Sequence, residues 1–172
     1  MSKYVLPLLL SLLFILENIY VSNVSPTLLG DKGIIVPHFL FFGLLFMTLY
    51  YNPKKALIYG VVFGVIYDIV YTEIIGIYLA AFPLFIFLIS QAIKILYANL
   101  FIRSILVLIW TVALEYLVYG LNILFGYTNM LNSYFINHRL FPTLLLNALF
   151  ILIFAYPLSS LLRTISENNE EK

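Results

Sequence analysis

The sequence contains no cysteine. That removes disulfides, thiolate nucleophiles and every Cys-ligated metal site, and it leaves the redox compartment open. Charge is scarce as well: Asp, Glu, Lys and Arg make up 10% of the 172 residues, against about 25% in soluble domains. A net charge of +1, with no basic stripe interleaved with aromatics, offers nothing to nucleic acid. There is no GxSxG, no HExxH and no glycine-rich phosphate loop ahead of a lysine and serine. What remains is apolar. Hydrophobic residues make up 63% of the chain and the mean hydropathy is +1.05, more than a domain of this size hides from water, so the expected solvent is lipid.

A helix needs roughly 17–25 apolar residues to cross the hydrocarbon core. Six stretches qualify or nearly so: 4–21, 34–51, 56–71, 74–93, 101–121 and 140–162. The expectation is a single all-α membrane domain over residues 1–172, with six transmembrane helices in a compact bundle. Lys3 and the apolar run after it resemble a signal peptide, but no small-x-small cleavage site follows, so the run reads as a retained first helix. "YTEIIG" is so short that the third and fourth spans must form a hairpin, and Pro83 and Pro157 inside spans suggest kinks rather than ends. Breakers fall between spans: Pro26 and Gly30, Asn52-Pro53, and Gly126. With the N-terminus inside, Lys3, Lys54, Lys55, Lys94, Arg103, Arg163 and Lys172 are cytoplasmic, and only Lys32 and Arg139 lie opposite. This bias places both termini in the cytoplasm.

Three carboxylates fall inside spans. Counted at 1.5 Å per residue from Lys3, Lys55 and Arg103, Glu17, Asp68 and Glu115 stand at heights of ~21, ~20 and ~18 Å. Asn147 lies about 12 Å below Arg139 by the same rise, slightly deeper. The set reads as a polar layer in the outer third of the membrane. A carboxylate facing lipid at mid-helix costs about 2.5–3.5 kcal/mol, so each needs a reason. For Glu17 and Glu115, near helix ends, snorkelling toward the headgroups is one. For Asp68, whose side chain is short, a covered site is the better one. Gly60, Gly64 and Asp68, spaced i, i+4, i+8, share one helix face. Small residues at that spacing admit close helix approach, either to a partner or within the chain. Asn18, Asn147 and Arg139 are the expected neighbours of Asp68. Like charges at one depth raise one another's pKa, which suggests that one carboxylate is protonated and bonded to another.

An enzyme is not supported. Tyr67-Asp68 resembles half of an intramembrane aspartyl protease signature, but the second aspartate is missing. His38 and His138, near helix ends, read as interfacial polar residues, and neither a metal nor a cofactor is implied. The stretches "YGVVFGVIYDIVYTEIIGIY" (59–78), "LENIY", "VPHF", "LEYLVYG" and "RLFPTLLLN", in this order and spacing, together resemble the rod shape-determining protein MreD family over essentially the whole chain. The resemblance implies a non-enzymatic adaptor of the bacterial elongation machinery in the cytoplasmic membrane. It implies an intramembrane partner, the MreC-type scaffold, and through it the MreB filament, a SEDS-type glycan polymerase and a class B penicillin-binding transpeptidase. It further implies a helix arrangement similar to the substrate-binding subunits of energy-coupling factor transporters. The alternative is such a subunit itself, capturing a small molecule in the carboxylate layer. Gly60, Gly64, Asp68, Glu17, Glu115, Asn147 and Arg139 are the candidate residues, for partner binding or for holding the polar layer.

Overall fold

A computed structural model of the chain describes residues 2–23, 34–72, 75–95 and 99–170. Pro26, Gly30, Asp31, Lys32, Tyr97 and Lys172 lie outside them. The described residues form α1 (Ser2–Asn23), α2 (Phe39–Tyr50), α3 (Pro53–Tyr71), α4 (Ile77–Ile95) and α5 (Leu100–Leu124). A short α6 (Asn132–Phe135) then runs through a π-helical turn (Ile136–Leu140) into α7 (Phe141–Glu170). Among the described residues, four stretches are long and apolar enough to cross a membrane: Tyr4–Asn23, Ile77–Lys94, Leu100–Leu124 and Asn132–Asn168. The other two expected spans differ. The third, α3, carries Lys54, Lys55 and Asp68 and is not among those four. The second is helical only from Phe39, because Pro37 restricts Val36 to extended backbone and residues 34–38 run straight.

Helix α2 is the centre of the molecule. All twelve of its residues are buried, and α1, α3, α4, α5 and α7 each pack against it. Its FLFFGLLFMTLY sequence has no polar face to turn outward, and Phe39 stacks on Phe150 while Phe41 stacks on Phe82. A twelve-residue helix is about 18 Å long, well short of a ~30 Å hydrocarbon core. Its N-terminal end therefore stops inside the bundle, at buried His38 and Leu40, where there is no water to meet the free amides that every helix leaves there. At the C-terminal end Arg103 Nη1 donates to the Leu49 carbonyl at 2.8 Å. The Arg103 and Arg163 guanidiniums lie 4.6 and 4.9 Å from the centroid of the Tyr50 ring. Positive charge at a helix C-terminus also suits the helix dipole.

The α3–α4 pair forms the expected hairpin, with Pro83 inside α4 and Pro157 inside α7. The Gly60–Gly64–Asp68 face is taken up by α4 of the same chain. A Cβ on Gly64 would stand 2.8 Å from both Leu79 Cα and the Tyr78 carbonyl oxygen, whereas one on Gly60 would meet the end of the Ile86 side chain at 2.6 Å. Backbone cannot step aside and a side-chain tip can. Gly64→Ala is accordingly expected to cost about 1–3 kcal/mol by overpacking. Gly60→Ala should come out near neutral, because alanine's helix preference of about 1 kcal/mol offsets the Ile86 rearrangement. Thermal unfolding of the two variants in detergent checks the order.

Candidate functional site

At the end of the bundle opposite Tyr50, each of the three carboxylates is buried: Glu17 and Asp68 are 0% exposed and Glu115 is 1%. None snorkels. What surrounds each explains why a charge stands there.

Asp68, one turn before the end of α3, receives the start of α4. Its Oδ2 accepts the Gly76 and Leu79 amides at 2.8 and 3.0 Å, and its Oδ1 accepts the Tyr78 amide at 2.8 Å. These are first-turn donors with no partner inside their own helix. A side-chain oxygen normally caps such donors from the residue just before the helix; here the cap arrives from the preceding helix, eight residues upstream of Gly76. Gly76 has φ +130, a conformation that turns its amide back onto Asp68 and that side chains disfavour. Glu17, on α1, does the same for α2: Oε2 accepts the Leu40 amide at 3.1 Å and Oε1 accepts the Tyr67 hydroxyl. A carboxylate at a helix N-terminus also complements the dipole.

Glu115, on α5, serves side chains instead. Oε1 meets His38 Nε2 at 2.7 Å and Oε2 accepts from Arg139 Nε at 2.8 Å. Arg139 sits in the π-helical turn, a rare geometry found mostly at functional positions. His38 is 1% exposed, so it is an interior residue rather than the interfacial one expected from its place near a helix end.

The extended stretch 34–38 is bonded at every second residue. Ile34, Val36 and His38 donate their amides to the His138 carbonyl, Thr143 Oγ1 and Asn147 Oδ1 at 2.9, 3.1 and 2.9 Å. Asn147 Nδ2 returns a bond to the Val36 carbonyl at 2.9 Å. Thr143 and Asn147, one helical turn apart, thus stand in for a neighbouring strand, and Pro37 falls where no donor is needed. Asn147→Leu, which removes both bonds to the stretch, is expected to destabilise more than Thr143→Val, which removes one. The threonine change should cost about 1–3 kcal/mol, read by thermal unfolding.

Several expected neighbours are not brought together. Asn18 bonds Ser22 on an exposed face, and Asn147 and Arg139 have other partners than Asp68. Among the described residues no carboxylate bonds another; each finds N–H or O–H donors instead. His38, Tyr67, Thr143 and Arg103 are not among the candidate site residues read from the sequence. Tyr67 is adjacent to Asp68 in the chain, but its hydroxyl belongs to Glu17, a pairing that only the α1–α3 packing supplies.

A sequence model of the rod shape-determining protein MreD matches residues 2–165. The rod shape-determining protein MreD of Bacillus subtilis (strain 168) is 34% identical over 157 residues, covering 91% of each chain. No solved structure matches.

Proposed function

This chain belongs to the MreD family of rod shape-determining proteins, membrane proteins of morphogenesis rather than enzymes, and from that premise we propose that it is an adaptor of the elongation machinery. It binds an MreC-type scaffold within the bilayer, and through that scaffold it stands with the MreB filament, a SEDS-type polymerase and a class B transpeptidase. The bundle is a single membrane domain with both termini cytoplasmic, similar in arrangement to energy-coupling factor substrate-binding subunits. The gathering of Arg103 and Arg163 about Tyr50 at one end supports that orientation, as does the lysine and arginine bias of the sequence.

One observation carries the adaptor reading. The carboxylates are committed to helix starts and to two basic side chains, while the outward faces are apolar: Leu8, Leu12, Ile15 and Ile19 on α1, and Leu145, Leu149 and Leu152 on α7, are exposed. A partner is met through such faces, in lipid. The transporter reading needs the carboxylates to line a pocket; among the described residues, two cavities at this end are lined by Arg139 and by none of the three.

The test is affinity capture of the full chain from native membranes solubilised in mild detergent. Stoichiometric co-purification of a single-span scaffold is expected, together with rod-shape rescue of a depleted strain. Rescue without any single-span protein in the captured material would contradict the adaptor role. Labelling of an introduced cysteine at Lys54 from outside the cell would invert the orientation.

A further inference from the structure

Two cavities meet at Arg139 and Asn122. The first, of about 290 Å³, is lined by Tyr71, Thr72 and Tyr127 besides those two. The second, of about 230 Å³, is lined on its other sides by Tyr119 and Thr128. Arg139 is 23% exposed and gives only its Nε to Glu115. A guanidinium carries five donor hydrogens. Among the described residues no protein acceptor meets the four on Nη1 and Nη2, so the free edge of the fork stands at the junction of the cavities.

From this we propose that the junction is a phosphate-binding site. Two parallel N–H donors at fixed spacing match the oxygens of a phosphate. Around them stand the Asn122 amide, which gives a hydrogen to the Val118 carbonyl and keeps a second, and the buried Tyr71 hydroxyl, which has no protein partner among the described residues. The Tyr119 and Thr72 hydroxyls are already given to the Met130 and Asp68 carbonyls. Glu115 meets His38 with one oxygen and Arg139 Nε with the other, which leaves the Nη edge of Arg139 unused. An anion on the far side of Arg139 therefore adds to the cluster without displacing Glu115. Each cavity has room for a phosphate group with a small polar appendage and is below the usual range of about 300–1,000 Å³ for drug-sized ligands. The phosphate belongs either to a lipid headgroup, entering from the membrane at the end of the bundle opposite Tyr50, or to a small soluble phosphate ester. The adaptor reading neither requires nor supplies this site.

Native mass spectrometry of the full chain in detergent, doped with dioleoyl phosphatidylglycerol or with dioleoylglycerol, examines the lipid source. Thermal unfolding with glycerol 3-phosphate examines the soluble one. Asn122→Asp is the diagnostic variant. Its side chain bonds only the Val118 carbonyl of its own helix, and the new carboxylate competes with phosphate for Arg139. A lipid site retains one phosphatidylglycerol but no dioleoylglycerol, and Asn122→Asp weakens that retention at least tenfold. A soluble site raises the unfolding midpoint by about 2–4 °C with glycerol 3-phosphate, and the variant loses the shift. Should Asn122→Asp fail to accumulate, Tyr127→Ala at the open rim replaces it, with the same loss expected. Absence of any phosphate-dependent effect in the native chain, or an effect that the accumulating variant leaves unchanged, overturns the site.

Discussion

Asp68→Ala is expected to unfold the α3–α4 hairpin. The substitution leaves the amides of Gly76, Tyr78 and Leu79 without the acceptors they have in the native chain. An orphaned buried amide costs about 1–3 kcal/mol, the Tyr78 amide being the buried one of the three and those of Gly76 and Leu79 part-buried. Total stabilities are on the order of 5–15 kcal/mol, so the loss takes a sizeable share. Asp68→Asn does not rescue. Asparagine offers one oxygen in place of two, and its NH2 group then faces N–H donors. The asparagine variant should fall between the native chain and alanine, in both thermal stability and cell shape. An asparagine variant as stable as the native chain would show that one oxygen is enough and that the three-donor cap is not what Asp68 supplies.

Glu115→Ala is expected to have a comparable effect by another route. It strands Arg139 and His38, two basic groups that share its oxygens at 2.8 and 2.7 Å. Breaking a buried pair from one side costs about 3–5 kcal/mol, whereas replacing both partners with apolar groups of similar volume is often neutral or stabilising. The double variant Glu115→Leu with Arg139→Met should therefore be more stable than either single one. A double-mutant cycle read by thermal unfolding measures this coupling. Additive losses would mean that the two side chains do not act as a pair.

The sequence announced the common level of these groups, and for Asp68 a covered site, better than their partners. Helix rise alone put Glu17, Asp68 and Glu115 at one level, and i, i+4, i+8 spacing put Asp68 on the glycine face, because both follow from the regular geometry of a single helix. Partners depend on packing between helices, which a periodic apolar pattern does not encode. Most of the donors that Asp68 and Glu17 accept are backbone amides, and every residue but proline carries one, so no residue type marked them. Asp68 was accordingly paired in expectation with Asn18, Asn147 and Arg139, the polar side chains visible in the sequence. The apolar run through 34–51 likewise hid a strand-like entry and a short helix. Its consequence, a helix that starts inside the bundle, is what gives Glu17 its place.

The central claim is that intramembrane charge in this chain satisfies helix ends. Amide hydrogen exchange at Tyr78 and Leu79, followed by NMR in lipid nanodiscs for the native chain and Asp68→Asn, tests it most directly. The account predicts slow exchange at both amides in the native chain. In the asparagine variant it predicts fast exchange at one of the two amides, the one that faces the NH2 group instead of the retained oxygen, while the Leu40 amide held by Glu17 stays slow. Unchanged protection of both amides in the variant, or fast exchange at either already in the native chain, would contradict it.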